Sequence, residues 1–135
     1  MQNKSYYENY PFVPAPTTPF VPGKDFLNVR EYYKGKTILL TGCTGYVGKI
    51  LLEKIMRSCP DIDKIYLVIR PRQNTSLKVR IEKEIFESGL FKEAFFRDPT
   101  LRARCNEKFF PIAGDICTKG LSLSPEDRKE ITSNL

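Results

Sequence analysis

Histidine and tryptophan are both absent from the 135 residues. Without an imidazole the chain lacks the commonest general base at neutral pH and the commonest metal ligand. The four cysteines, Cys43, Cys59, Cys105 and Cys117, form no CxxC pair, so no zinc site is expected. Thiols scattered in this way read as reduced and intracellular rather than as a disulfide framework. No stretch approaches the roughly 18 apolar residues of a membrane-spanning helix. The N-terminus has no charged and apolar regions of a signal peptide, and the closing "ITSNL" is no targeting tag. The net charge is +6, which suits anionic partners such as nucleotides, nucleic acid or acidic lipid. Runs of like charge are also missing, so a nucleic-acid-binding tail is not indicated.

Residues 1–24 differ from the rest. "YPFVPAPTTPFVPGK" carries five prolines, each fixing φ and removing a donor, and reads as a disordered Pro-rich leader. Docking of that segment on a partner is the alternative. Residues 25–135 then read as one unit. "FLNVREYYKGK" is amphipathic and ends in a glycine turn. "KTILLT" (36–41) and "KIYLVI" (64–69) are continuous apolar runs, expected as buried strands. Between them "GYVGKILLEKIMRSC" has helical period. Its apolar face is expected to be Val47, Ile50, Leu51 and Ile55, opposite Lys49, Glu53, Lys54 and Arg57, with Pro60 and Asp61 ending the helix.

Ser76 is placed to cap a helix running to about Ser88, with Leu77, Ile81 and Ile85 as its stripe. "LFKEAFFRDPTLRARCNEK" predicts a broken helix and "FFPIAGD" (109–115) a short third strand. Ser124, Pro125 and two acids open a last helix. Alternating strands and helices predict an α/β fold, with a parallel sheet covered on both faces and right-handed crossovers.

The chemistry concentrates at Gly42-x-x-Gly45-x-x-Gly48, between the first strand and its helix. Gly42 lets the chain leave the strand, Gly45 admits a pyrophosphate close to the backbone, and Gly48 lets helix and strand pack tightly. The pyrophosphate is expected at the helix N-terminus, with Thr41 and Thr44 adding hydroxyl donors. The alternative is a glycine-rich strand–helix connection with no ligand. No Gly-Lys-Ser/Thr follows, so this is not a P-loop. Where NAD sites place an acid, this chain has Arg70, then Arg72, and no acid until Glu82. Guanidiniums there predict a grip on a 2′-phosphate and hence NADPH, unless they are solvated strand-end charges. Asp115 ends the third strand, where it either accepts from the adenine amino group or forms a turn. The candidate cofactor set is Thr41, Gly42, Thr44, Gly45, Tyr46, Val47, Gly48, Arg70, Arg72 and Asp115; no metal is expected.

"YYKGKTILLTGCTGYVGKILLEKIMRSCPDIDKIYLVIRP" resembles the opening of the alcohol-forming fatty acyl-CoA reductases, extended members of the short-chain dehydrogenase/reductase superfamily. The shared pattern is a Gly-Lys before the strand, the Thr-Gly-x-Thr-Gly turn ending Gly-Lys, a helix, "CP", and a strand ending "RP". "FPIAGDICTKGLSLSPEDR" is similar to their third-strand segment, and the likeness covers about residues 32–133. The resemblance implies a partial Rossmann-like doubly wound sheet consisting of its first three strands. It implies NADPH-dependent reduction of long-chain fatty acyl-CoA to fatty alcohol through an aldehyde, in the peroxisome or the endoplasmic reticulum. It carries Gly42, Gly45, Gly48, Arg70 and Asp115 over as cofactor residues. Any membrane association is expected from other segments of a longer chain.

The family's catalytic Tyr-x-x-x-Lys is expected beyond these residues. Tyr32-x-x-x-Lys36 matches it formally but precedes the first strand and reads as coincidence. The chain is therefore expected to be the cofactor half of an enzyme, inactive alone. Its first strand is expected to present a bare edge where a fourth strand would lie. A non-catalytic nucleotide-binding or interaction module is one alternative, and another NADPH-linked thioester reductase is a second.

Overall fold

A computed structural model describes residues 28–135, and the Pro-rich leader lies outside the described residues. The first element is a short helix, α1 (Val29–Tyr33), capped by the Asn28 side chain. Three strands follow in the expected places: β1 (Thr37–Thr41), β2 (Lys64–Ile69) and β3 (Phe109–Ala113). All pair in parallel in the order β1-β2-β3, with Leu39 opposite Tyr66 and Tyr66 opposite Phe110.

β2 is central, and Ile65 through Ile69 are buried, as its unbroken apolar run requires. β1 is less enclosed than expected. Its Ile38, Leu39 and Leu40 are only half-buried, because among the described residues nothing pairs with its outer edge. β3 is the opposite edge, which is where a strand accommodates Pro111.

Successive strand residues point to opposite faces, so the sheet divides the core in two. One face holds Ile38, Leu40, Ile65, Leu67, Ile69 and Phe109 beneath α2 (Tyr46–Ser58), α3 (Leu77–Arg80), α4 (Gly89–Arg97) and α5 (Leu101–Lys108). The other face holds Leu39, Tyr66, Phe110 and Ile112 against Ile131 of α6 (Pro125–Asn134). The expected break in the fourth helical stretch is real. Asp98 ends α4 and accepts the Thr100 N–H at 3.0 Å, ahead of α5.

Two helical expectations need correction. The buried stripe of α2 is Leu52, Ile55 and Met56, whereas Val47, Ile50 and Leu51 are exposed. α2 lies against α4 and α5, and those helices select the stripe that sequence periodicity had left ambiguous. The helix capped by Ser76 is regular only to Arg80. Ile81–Phe86 form a π-helical segment before Ser88 caps α4.

All four cysteines are free thiols. Burial pushes the Cys43 and Cys105 thiols up to about 11 and about 12, so both are inert near neutrality. No helix among the described residues is long and apolar enough to cross a membrane.

Candidate cofactor site

The site forms where β1, β2 and β3 end. Gly42 leaves β1 at φ +70°, a conformation that a Cβ disfavours, and Gly45 N–H closes the turn onto Gly42 O at 3.0 Å. Gly45 is the N-cap of α2, and no side chain caps it. The first-turn amides of α2 therefore point outward without intrahelical acceptors, at the positive end of a 13-residue helix. A Cβ on Gly48 would stand 2.1 Å from Gly42 O, so only glycine permits this approach of helix to turn. A pyrophosphate fits this cradle because bare backbone and unpaired N–H groups face the same space.

Beside the turn lies a cleft of about 350 Å³ lined by Gly42, Thr44, the β2 end, Arg70, Arg72, Arg80, Gly114, Asp115 and Ile116. Five of the expected residues thus meet in it: Gly42, Thr44, Arg70, Arg72 and Asp115. The others stand elsewhere. Thr41 is exposed at the end of β1, Gly45 and Gly48 shape the turn, and Val47 is exposed on the first turn of α2. Tyr46 is exposed and lines a separate cavity of about 300 Å³ with Lys49, Ile50 and Leu90. The cleft opens at the ends of β1, β2 and β3, with Arg80 of α3 beside them.

Charge in the cleft is organised by two acids. Arg70 Nη2 donates to Asp115 Oδ1 at 2.9 Å and approaches Cys117 Sγ at 3.5 Å. Asp115 Oδ1 also accepts the Cys117 N–H at 2.9 Å. That bond and the Arg70 guanidinium hold the Asp115 carboxyl below the usual carboxylate range. Asp115 therefore makes the turn that its residue type allows and also pairs across the cleft.

The second acid, Glu84, was not expected from the sequence, nor was its partner Arg80. Arg80 is the one buried charged residue among the described residues, at 4% exposure. It grips Glu84 with two nitrogens at 2.7 and 2.9 Å, and its Nη1 donates to the Arg70 carbonyl. Arg72 Nη1 reaches the same carboxylate at 3.2 Å. These contacts, the Arg80 bond first, hold the Glu84 carboxyl below its ordinary value. Arg72 itself starts a tight turn, closed by a bridge to Thr75 with Asn74 in the left-handed region.

The Tyr32-x-x-x-Lys36 match stands before β1, at the opposite end of the strands from the cleft. Lys36 Nζ lies 5.0 Å from the Tyr32 ring centre, a surface cation–π contact.

The male sterility protein family, a family of NAD-binding domains, matches residues 40–135. The chain belongs to this family. Membership indicates a nicotinamide dinucleotide as the cofactor class of the domain. Over 105 residues the chain is 40% identical to Fatty acyl-CoA reductase 1 of Mus musculus, covering 78% of this chain and 19% of that protein. It is 38% identical over 102 residues to Fatty acyl-CoA reductase 8 of Arabidopsis thaliana, covering 74% and 21%. Among solved structures it is similar to the terminal R domain from the myxalamid PKS-NRPS biosynthetic pathway. There the TM-score is 0.55 at 30% identity, covering 76% of this chain and 23% of that one. The chain thus spans about a fifth of the length of the curated relatives it matches.

Proposed function

We propose that these residues are the adenosine-binding half of an NADPH-dependent reductase that converts long-chain fatty acyl-CoA to fatty alcohol. The observation that carries this reading is the juxtaposition of the glycine turn with Arg70, Arg72 and Arg80 in a single cleft. The α2 N-terminus would take the pyrophosphate. Arg70 and Arg72 have side chains 62% and 65% exposed and would exchange their bonds to Asp115 and Glu84 for bonds to a ribose 2′-phosphate. Arg80, locked by Glu84 and the Arg70 carbonyl, would hold the β2 end in shape while they do so. Bound NADPH supplies the hydride. The group that donates the proton is assigned to chain beyond these residues, because Tyr32 and Lys36 stand at the wrong end of the sheet. The likeness to the mouse and Arabidopsis reductases supports an acyl-CoA substrate.

The test is an assay of the intact protein with hexadecanoyl-CoA, following NADPH absorbance and separating the products. The reading expects NADPH consumption with hexadecanol formed and little turnover with NADH. NADPH consumption only with a carrier-bound thioester would replace the substrate assignment. No dinucleotide consumption with any thioester would return the chain to a binding module.

A further inference from the structure

The loop that joins β2 to α3 carries a hydroxyl that neither the fold nor the proposed cofactor site uses. Thr75 closes the stretch Arg70-Pro71-Arg72-Gln73-Asn74-Thr75, with arginines three and five residues before it. No other serine or threonine in the chain has arginine at both of those positions. Pro71, Arg72, Gln73 and Asn74 are exposed, and the Thr75 hydroxyl donates over a long 3.5 Å to Gln73 O. A single isolated bridge, Arg72 to Thr75, closes the turn, so it opens locally at little cost. The neighbouring Ser76 is committed elsewhere: its Oγ caps α3 by accepting the Val79 N–H at 3.3 Å.

Arginines upstream of an accessible hydroxyl are what the acidic substrate groove of an arginine-directed protein kinase reads. In the transfer the Thr75 oxygen attacks the γ-phosphorus of ATP and the bond to ADP breaks. The hydroxyl proton passes to the kinase's catalytic aspartate.

The consequence follows from charge. Residues paired across an antiparallel bridge hold their Cβ atoms about 4.5–5.5 Å apart, so a phosphate on Thr75 lies within reach of the long Arg72 side chain. Arg72 holds Glu84 by one 3.2 Å contact, and a phosphate is the stronger acceptor. Arg70, Arg72 and Arg80 meet Asp115 and Glu84 here, which leaves the cluster one net positive charge. A phosphothreonine brings about −1.5 to −2 and turns the cluster negative.

We infer that Thr75 is a phosphorylation site for an arginine-directed protein kinase, and that phosphate there closes the cleft to NADPH. The second half rests on the 2′-phosphate reading proposed above. Phosphothreonine draws Arg72 away from that group and repels it. NADH lacks the 2′-phosphate and is affected far less.

The experiment treats the intact protein with Mg²⁺-ATP and a kinase that selects arginine three and five residues before its acceptor. Mass spectrometry of its peptides locates the phosphate, and calorimetry measures NADPH and NADH binding before and after. Thr75→Val and Thr75→Glu proteins are titrated alongside. The expected result is phosphate on Thr75 and at least about tenfold weaker NADPH binding, with NADH changed by less than about twofold. Retained NADH binding reports that the site is still folded, and a phosphatase should restore NADPH affinity. Thr75→Glu should weaken NADPH in the same direction, and Thr75→Val should bind both dinucleotides as the unaltered protein does. No phosphate on the folded protein, phosphate on Ser76 instead, or equal weakening of both dinucleotides would each overturn the inference. A preference for NADPH that survives phosphate on Thr75 would overturn the regulation alone. Equal affinity of the unaltered protein for NADPH and NADH would overturn the 2′-phosphate reading, and this regulation with it.

Discussion

Gly48 and Gly42 are pressed together so closely that a Cβ on residue 48 would stand 2.1 Å from the Gly42 carbonyl oxygen and 2.8 Å from the Cys43 Cα. Both obstacles are backbone of the turn itself, so neither can swing aside. Gly48→Ala is therefore expected to destabilise this region by at least about 2 kcal/mol, through overpacking that only movement of α2 can relieve. Dinucleotide binding should fall with it, because the same movement withdraws the helix N-terminus. Gly89, the first residue of α4, has nothing within 4 Å of its Cβ position and no positive φ. Gly89→Ala should stabilise by up to about 1 kcal/mol. Urea denaturation of the intact protein, read by amide exchange in residues 28–135, checks both.

Arg80 and Arg72 share one carboxylate but differ in burial, and their removal should differ accordingly. Arg80→Met leaves Glu84 without its two-nitrogen partner and the Arg70 carbonyl without its donor. A loss of about 2–3 kcal/mol is expected. Arg72→Met breaks a 3.2 Å contact made by a side chain 65% exposed, and should cost less than about 1 kcal/mol. Under the proposed reading the order reverses for ligand: Arg72→Met keeps the fold and loses NADPH affinity. Denaturation and titration of the same two variants test this crossing.

The Glu84 pair also sets a pH dependence. The folded state holds this carboxyl below its ordinary value, chiefly through the Arg80 bond. Its stabilising contribution is therefore fully present above the ordinary glutamate value. It is lost as pH falls through the lowered folded value. Glu84→Gln should be less stable than the unaltered protein at pH 7, and the gap should close in acid. A gap that stays constant from pH 7 to pH 3 would show that the charge of Glu84 plays no part.

The strands and the turn were readable because local physics dictates them. β2 carries five consecutive apolar residues, Ile65–Ile69, that only burial on both faces explains, and the glycine spacing answers the backbone demand of the turn from β1 to α2. What was hidden depends on neighbours far along the sequence. α2 carries two apolar stripes, and the choice of Leu52, Ile55 and Met56 over Val47, Ile50 and Leu51 was made by α4 and α5. Arg80 and Glu84, four apart, look like an ordinary solvent-exposed helical pair; the Arg70 carbonyl draws Arg80 inward. The π-helical segment at Ile81–Phe86 has no local signature that periodicity could reveal. At Asp115 both sequence options were open, and the structure adds a third partner, Arg70.

The central claim is that the cleft beside the glycine turn binds an adenosine carrying a 2′-phosphate. Adenosine 2′,5′-bisphosphate and AMP differ by that group alone and need no other part of a dinucleotide site. Their affinities for the intact protein, measured by calorimetry, therefore test the claim most directly. The account predicts that the bisphosphate binds at least about tenfold more tightly, and that the preference disappears when Arg70 and Arg72 are both changed to alanine. Equal binding of the two nucleotides, or tighter binding of AMP, would contradict it.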